Sequence, residues 1–168
     1  MGKTHKKRPS PSVTTPKAPL FPAAGPAKEC PKRLQGVADD LDGQHPTWRL
    51  CLLDREHTDG WSWQVTEADI VMIVDFLSEM ERLTWKEIRA QLTGGQRRGA
   101  KHKFIPVTSL CPIAQRRLIE LELDEFEQMF RFRLGNMGRL WGVIAEDDHV
   151  FYPVWWDPGH KVCPSADR

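Results

Sequence analysis

The sequence predicts an α+β fold: helices packed on an antiparallel β-meander, behind a disordered, basic, proline-rich N-terminal tail. Three observations predict it. Residues 129–156 hold three strand-like runs, the first with apolar–polar alternation, broken by the turn signals Gly135-Asn136-Met137-Gly138 and Asp147-Asp148-His149. Ahead of them, Thr66-Glu67-Ala68-Asp69 and Thr84-Trp85-Lys86-Glu87 have the form of capping boxes that open helices. Residues 1–45 hold seven prolines and one notable apolar pair before Leu34, Leu20-Phe21. Such a segment buries too little surface to offset its ordering entropy. The expected division is therefore a tail over 1–45 and a single α+β domain over 46–168.

Each element has a local reason. Trp48-Arg49-Leu50-Cys51-Leu52-Leu53 is a compact apolar run, read as a strand, and Trp61-Ser62-Trp63-Gln64-Val65 alternates with period two, so the pair predicts a hairpin. The helix over 66–81 presents Ile70, Ile73, Val74 and Leu77 at i, i+3, i+4 and i+7. A shorter helix from Thr84 stops before Gly94-Gly95. Phe104-Ile105-Pro106-Val107 reads as an edge segment because of its proline. A third helix begins at Ser109 or Cys111 and buries Ile113, Ala114, Leu118 and Leu121, with Arg116 and Arg117 on its polar side. Asp124–Gln128 reads as a short helical turn. Strands follow over Met129–Leu134, Arg139–Glu146 and Val150–Trp156. The last is apolar on both faces, which predicts a central strand covered on each side. Lys161-Val162-Cys163-Pro164 reads as a short final strand.

Charge and cysteine content bound the function. Eight of the 24 Lys and Arg, but one of the 23 Asp and Glu, fall in residues 1–33. That stretch carries +7 and the remainder −6, so a nucleic-acid role needs a local basic patch in the folded part. His5-Lys6-Lys7-Arg8-Pro9 reads as a solvated tail or as a nucleic-acid contact or localisation signal. Cys30, Cys51, Cys111 and Cys163 form no CxxC pair and no zinc spacing, and His102, His149 and His160 lack ligand spacing. No apolar run reaches the roughly 18 residues of a membrane span, nor is there the apolar core of a signal peptide. The expectation is a cytoplasmic protein with a reducing surround, no membrane, no metal and no cofactor.

Two stretches carry candidate chemistry. Asp157-Pro158-Gly159-His160 predicts a type II turn, Pro158 pre-setting φ and Gly159 supplying the positive φ. It brings Asp157 and His160 within about 7 Å, Cα to Cα, with Lys161 beside them. A carboxylate near an imidazole fixes its tautomer and raises its pKa, which suits acid–base work. The plain alternative is an Asp that caps its own turn and a solvated His. The second stretch, Gly94 to Lys103, holds three glycines, four cations and His102. It reads as an anion-binding loop or as an ordinary surface loop, and lacks the GxxxxGK[ST] phosphate pattern.

Arg131-Phe132-Arg133-Leu134-Gly135, then Arg139, Glu146-Asp147-Asp148, Val150–Trp156 and Gly159-His160-Lys161, together resemble the C-terminal half of RelE/ParE-type toxins. The stretches Thr84–Ile88, Lys101–Val107, Ala114–Leu118 and Trp155–Pro164 are also similar to a pattern shared by toxin-like proteins. The resemblance implies a hydrolase of a toxin–antitoxin system, an endoribonuclease that cleaves mRNA on the ribosome and is neutralised by a cognate antitoxin protein. The implied chemistry is metal-independent attack of the ribose 2′-OH on the adjacent phosphorus. In that reading His160, oriented by Asp157, is the acid–base group, and Arg139 stabilises the transition state. Arg131, Arg133, Lys101, His102, Lys103 and Lys161 contact RNA phosphates. Lys161 follows His160 where many members carry a Tyr, and the sole Tyr, Tyr152, lies in the preceding strand. Trp155 and Trp156 serve as core or as stacking surface for bases. ParE-type relatives act on gyrase, so the alternative is a non-catalytic protein- or nucleic-acid-binding module of the same fold.

Overall fold

A computed structural model describes residues 41–94, 99–145 and 149–164. The expected tail, up to residue 40, lies outside the described residues, as do Gly95–Arg98 and the acidic turn Glu146–Asp148.

The strands are β1 (Thr47–Trp48), β2 (Lys103–Pro106), β3 (Gln128–Leu134), β4 (Gly138–Ile144) and β5 (Val150–Asp157); the helices are α1 (Glu67–Met80), α2 (Trp85–Ala90) and α3 (Pro112–Glu120). The sheet order is β1-β5-β4-β3-β2. β2 to β5 pair antiparallel with their neighbours, while β1 runs parallel to β5. The fold is α+β, as expected, but the sheet is mixed and not purely antiparallel.

Alternation sorts β3, β4 and β5 into two faces. On one face lie Phe130, Phe132, Leu134, Leu140, Ile144, Phe151 and Trp156, which form one core with Ile73 and Met80 of α1 and Trp85 and Ile88 of α2. Phe132 sits at its centre. Its ring centroid is within 6 Å of those of Trp48, Phe76, Trp85, Phe130 and Phe151, all but the Trp85 pair edge-to-face, an arrangement aromatic quadrupoles favour. Gly142 is required here, because a Cβ would collide with the Phe151 ring and the Tyr152 carbonyl. α3 lies toward the other face, tied there by Arg117, whose guanidinium meets Asp54 beneath Trp155.

A β-bulge interrupts the β4–β5 ladder. Trp141 pairs with Trp155 and Gly142 with Pro153, so Val154 is the extra residue. Its carbonyl accepts the Asp54 N–H at 3.0 Å and the Trp63 indole N–H at 2.8 Å. These bonds explain why the expected hairpin over 48–65 does not form. Past β1 the chain turns through a 3-10 segment at Leu50–Leu52, and residues 54–63 cover the β5 edge as a loop instead of pairing along it. Trp61 packs edge-on against Trp155 at 4.6 Å, so its burial comes from loop packing and not from strand pairing.

Both capping boxes form. Thr66 Oγ1 accepts the Asp69 N–H and Thr84 Oγ1 accepts the Glu87 N–H, each with the reciprocal bond. The buried stripe of α1 differs from expectation: Ile73 and Met80 are buried and Phe76 and Leu77 half-buried, while Ile70 and Val74 are about half exposed. On α3 only Ala114 and Leu118 are buried; Ile113 is exposed. The domain starts earlier than residue 46. Leu41 is buried in the core, Asp42 pairs with Arg89, and the Gln44 carbonyl accepts the Trp85 N–H. Asp124-Glu125 forms a turn, and residues 161–164 form no strand although Val162 is buried. Among the described residues no helix is long and apolar enough to cross a membrane.

Candidate functional site

The face opposite the aromatic core carries the charged residues of β3 and β4. Register places Lys103, Arg131, Trp141 and Trp155 in one cross-strand row, and Arg133, Arg139 and Asp157 in the next. Three arginines from two adjacent strands thus share one patch, a consequence of period-two alternation around Phe130, Phe132 and Leu140.

Their environment is unusual for cations. Arg139 is only 5% exposed. One of its terminal nitrogens, Nη1, donates to the carbonyls of Asn136 (3.2 Å) and Gly138 (2.8 Å). Arg133 Nε donates to the Gly135 carbonyl at 3.3 Å. The Arg131 guanidinium lies over the Trp141 ring, 6.0 Å from its centroid. Nε of Arg131, Nε of Arg139, Nε1 of Trp141 and Nε2 of His160 are all buried without a hydrogen-bond partner among the described residues. Burial, followed by the fields of Arg131 and Arg133, pulls Arg139 down to about 10 against the opposing field of Asp157. Burial also lowers Arg131. A patch in which cations depress one another favours an anion, and guanidinium groups match phosphate oxygens.

His160 lies three residues past the end of β5 and feels the field of these arginines. Its pKa is lowered, first by burial and then by Arg139 and Arg131, with Asp157 opposing. The lowered pKa favours the neutral imidazole. The turn that presents it is not the type II turn expected. Gly159 does not take a positive φ; His160 does, at 56°. Asp157 is fully buried, and its Oδ1 and Oδ2 accept the N–H groups of Lys161 (2.8 Å) and Val162 (2.9 Å). The carboxylate binds backbone N–H groups in place of the expected bond to the imidazole, because these two donors fall in its reach as the chain reverses.

The other expected residues divide. Lys103 is exposed on the Arg131 row. Lys101 Nζ donates to Gln91 Oε1 at 3.4 Å, and the Lys101 N–H donates to the Gln91 carbonyl at 2.8 Å. The Lys161 side chain lies over Gly60, its Nζ 2.9 Å from where a Cβ would stand. His102 belongs to the core and not to the patch. Its ring packs on Phe76 and Phe132, Nδ1 accepts the Arg133 N–H at 3.1 Å, and Nε2 donates to Gln91 Oε1 at 3.3 Å. Burial, and secondarily Lys101, Arg131 and Arg133, depress it to about 3. With both nitrogens used and the ring buried, it has no group to offer a phosphate. Trp155 and Trp156 are buried on opposite faces, which leaves neither ring open for base stacking.

Sequence reasoning missed Trp141 and the Asp54–Arg117 pair. Trp141 was reachable from register, as the strand position beside Arg131. Asp54 and Arg117 lie 63 residues apart with no local signal. Among the described residues, no group of three His, Cys, Asp or Glu side chains could hold a metal ion. Comparison with protein families, with curated proteins and with solved structures finds no match for this chain.

Proposed function

We propose that the chain is a RelE/ParE-like endoribonuclease toxin that cleaves mRNA in the cytoplasm, on the ribosome, and is neutralised by a cognate antitoxin. One observation carries the reading: Arg131, Arg133 and Arg139 converge beside a neutral, half-buried His160 on one sheet face. Arg131 and Arg133 hold the phosphates, and Arg139 lies where negative charge grows on the phosphorane. The 2′-oxygen bonds to phosphorus as the bond to the 5′-oxygen breaks. His160 Nε2 takes the 2′-OH proton, and the 5′-oxygen takes a proton from water. An imidazolium formed beside three arginines is costly alone, and the bound phosphate offsets that cost. Lys103 extends the anionic track along its row.

The test is induction of the full chain followed by mapping of mRNA 5′ ends. New ends are expected in the wild type and absent in His160→Ala and Arg139→Lys, with both variants folded. Equal cleavage by wild type and both variants rejects the reading.

One observation favours a non-catalytic module: both Asp157 oxygens accept backbone N–H groups, and neither is hydrogen-bonded to the His160 ring among the described residues. In that reading RNA or a protein binds through the same arginines with no new ends, and binding survives His160→Ala.

A further inference from the structure

We infer that Asp157 is a positioning residue: its buried carboxylate closes the loop 158–162 and thereby sets the backbone that aims His160 at the arginine patch. The inference deepens the site just proposed and rests on its anion-binding part, not on cleavage.

β5 ends at Asp157, in register with Arg139. From there the carboxylate reaches forward four and five residues to the Lys161 and Val162 N–H groups. The far end of the loop is held independently. Val162 is fully buried, and its carbonyl accepts the Cys111 N–H at 2.8 Å, just ahead of α3. The Lys161 side chain is packed across Gly60 and Gly159. Between these anchors His160 takes a φ of 56°. That left-handed conformation is uncommon for a non-glycine residue, although His takes it more readily than most, and His160 shares it with Glu122 and His149. Gly159, which would take the same conformation without steric cost, stays out of that region. The chain thus places the positive φ on the residue bearing the imidazole, and the Asp157 bonds close the loop around it. Asp157 has a second effect in the same direction: its field partly opposes those of Arg139 and Arg131 at His160. Removing it loosens the loop and leaves His160 a weaker base.

The two effects separate experimentally. Asp157→Asn removes the charge and one of the two acceptors. Val162→Pro removes the second N–H and leaves every charge in place. The full chain is titrated with inorganic phosphate, following the His160 ring signals by NMR, with the β3–β4 amide signals reporting on the fold. The wild-type His160 ring is expected to shift on phosphate addition. In both variants its free-state signals move toward those of a mobile histidine, and phosphate affinity falls about tenfold or more, although Arg131, Arg133 and Arg139 are retained. In a His160→Gly background, Asp157→Asn produces no further loss, because the residue acts through His160. Unchanged His160 signals in folded Asp157→Asn and Val162→Pro overturn the inference, as does an equal loss of affinity with and without His160. Wild-type chain that binds no phosphate counts against the proposed site, and the free-state ring signals still decide the positioning.

Discussion

Two arginines near the same sheet face have opposite surroundings. Arg117 meets Asp54 through Nε at 2.9 Å and Nη2 at 2.8 Å, and Glu120 through Nη1 at 2.7 Å. These hydrogen bonds raise its pKa above the usual arginine value. Arg139 is buried more deeply, bonds only carbonyls among the described residues, and is depressed by burial and by Arg131 and Arg133. Burial with a carboxylate fork is a structural use of arginine; burial among other arginines is not explained by stability. The difference is what supports the proposal that an external anion completes the electrostatics of the second group.

The comparison breaks or sharpens under substitution. Arg117→Ala strands Asp54, 2% exposed beneath Trp155, without its counter-charge. A loss of about 3–5 kcal/mol is expected in urea unfolding. Arg139→Met is expected to change stability by no more than about 1 kcal/mol in either direction, while phosphate and RNA binding collapse. Holding Arg139 charged costs stability at every pH below its lowered pKa of about 10, and that relief offsets the two lost carbonyl bonds. Equal destabilisation by the two substitutions ends the distinction.

Acid unfolding tests the buried partners. His102 has a folded pKa of about 3 against an ordinary value of 6.5. The unfolded chain therefore binds the extra proton, and stability falls as pH drops from 6.5 toward 3. Replacing His102 by Gln should flatten that part of the curve, seen as loss of about one proton taken up on unfolding. An unchanged pH profile in His102→Gln contradicts the core placement of the ring. Asp54 acts lower. Burial alone would raise its pKa, but the bonds from Arg117 and Trp155 outweigh that cost and lower it to about 2. Its contribution is present above the ordinary carboxylate value of 3.8 and disappears as pH falls through about 2. The smallest effect belongs to Arg133, half-exposed at the patch rim. Arg133→Ala should leave stability within about 0.5 kcal/mol and reduce the salt slope of RNA binding by roughly one.

Much of this was legible locally. Both capping boxes, the β2–β5 strands and the two-faced pattern of β3 follow from spacing of a few residues. The misreadings share one cause. Trp61 and Trp63 alternate as a strand would, yet their partners are Trp155 and the Val154 carbonyl, about 90 residues away. His102 belongs by composition with Lys101 and Lys103, but strand alternation turns it to the aromatic face, where Phe132 and the Arg133 N–H claim it. Asp157 and His160 read as a pair because a four-residue turn brings them close, but the Lys161 and Val162 N–H groups occupy the carboxylate.

The sequence by itself determined periodicity, and with it that Arg131 and Arg133 share one face of β3 while Phe130 and Phe132 share the other; the β3–β4 register of the structure added Arg139 to the first face and Leu140 to the second. Alternation is a property of the extended backbone, so it can be read without the fold. Only the tertiary structure decided which cations are neutralised and which are not. That depends on whether a carboxylate such as Asp54 arrives from a distant loop, and desolvation makes its arrival or absence worth more than any local preference.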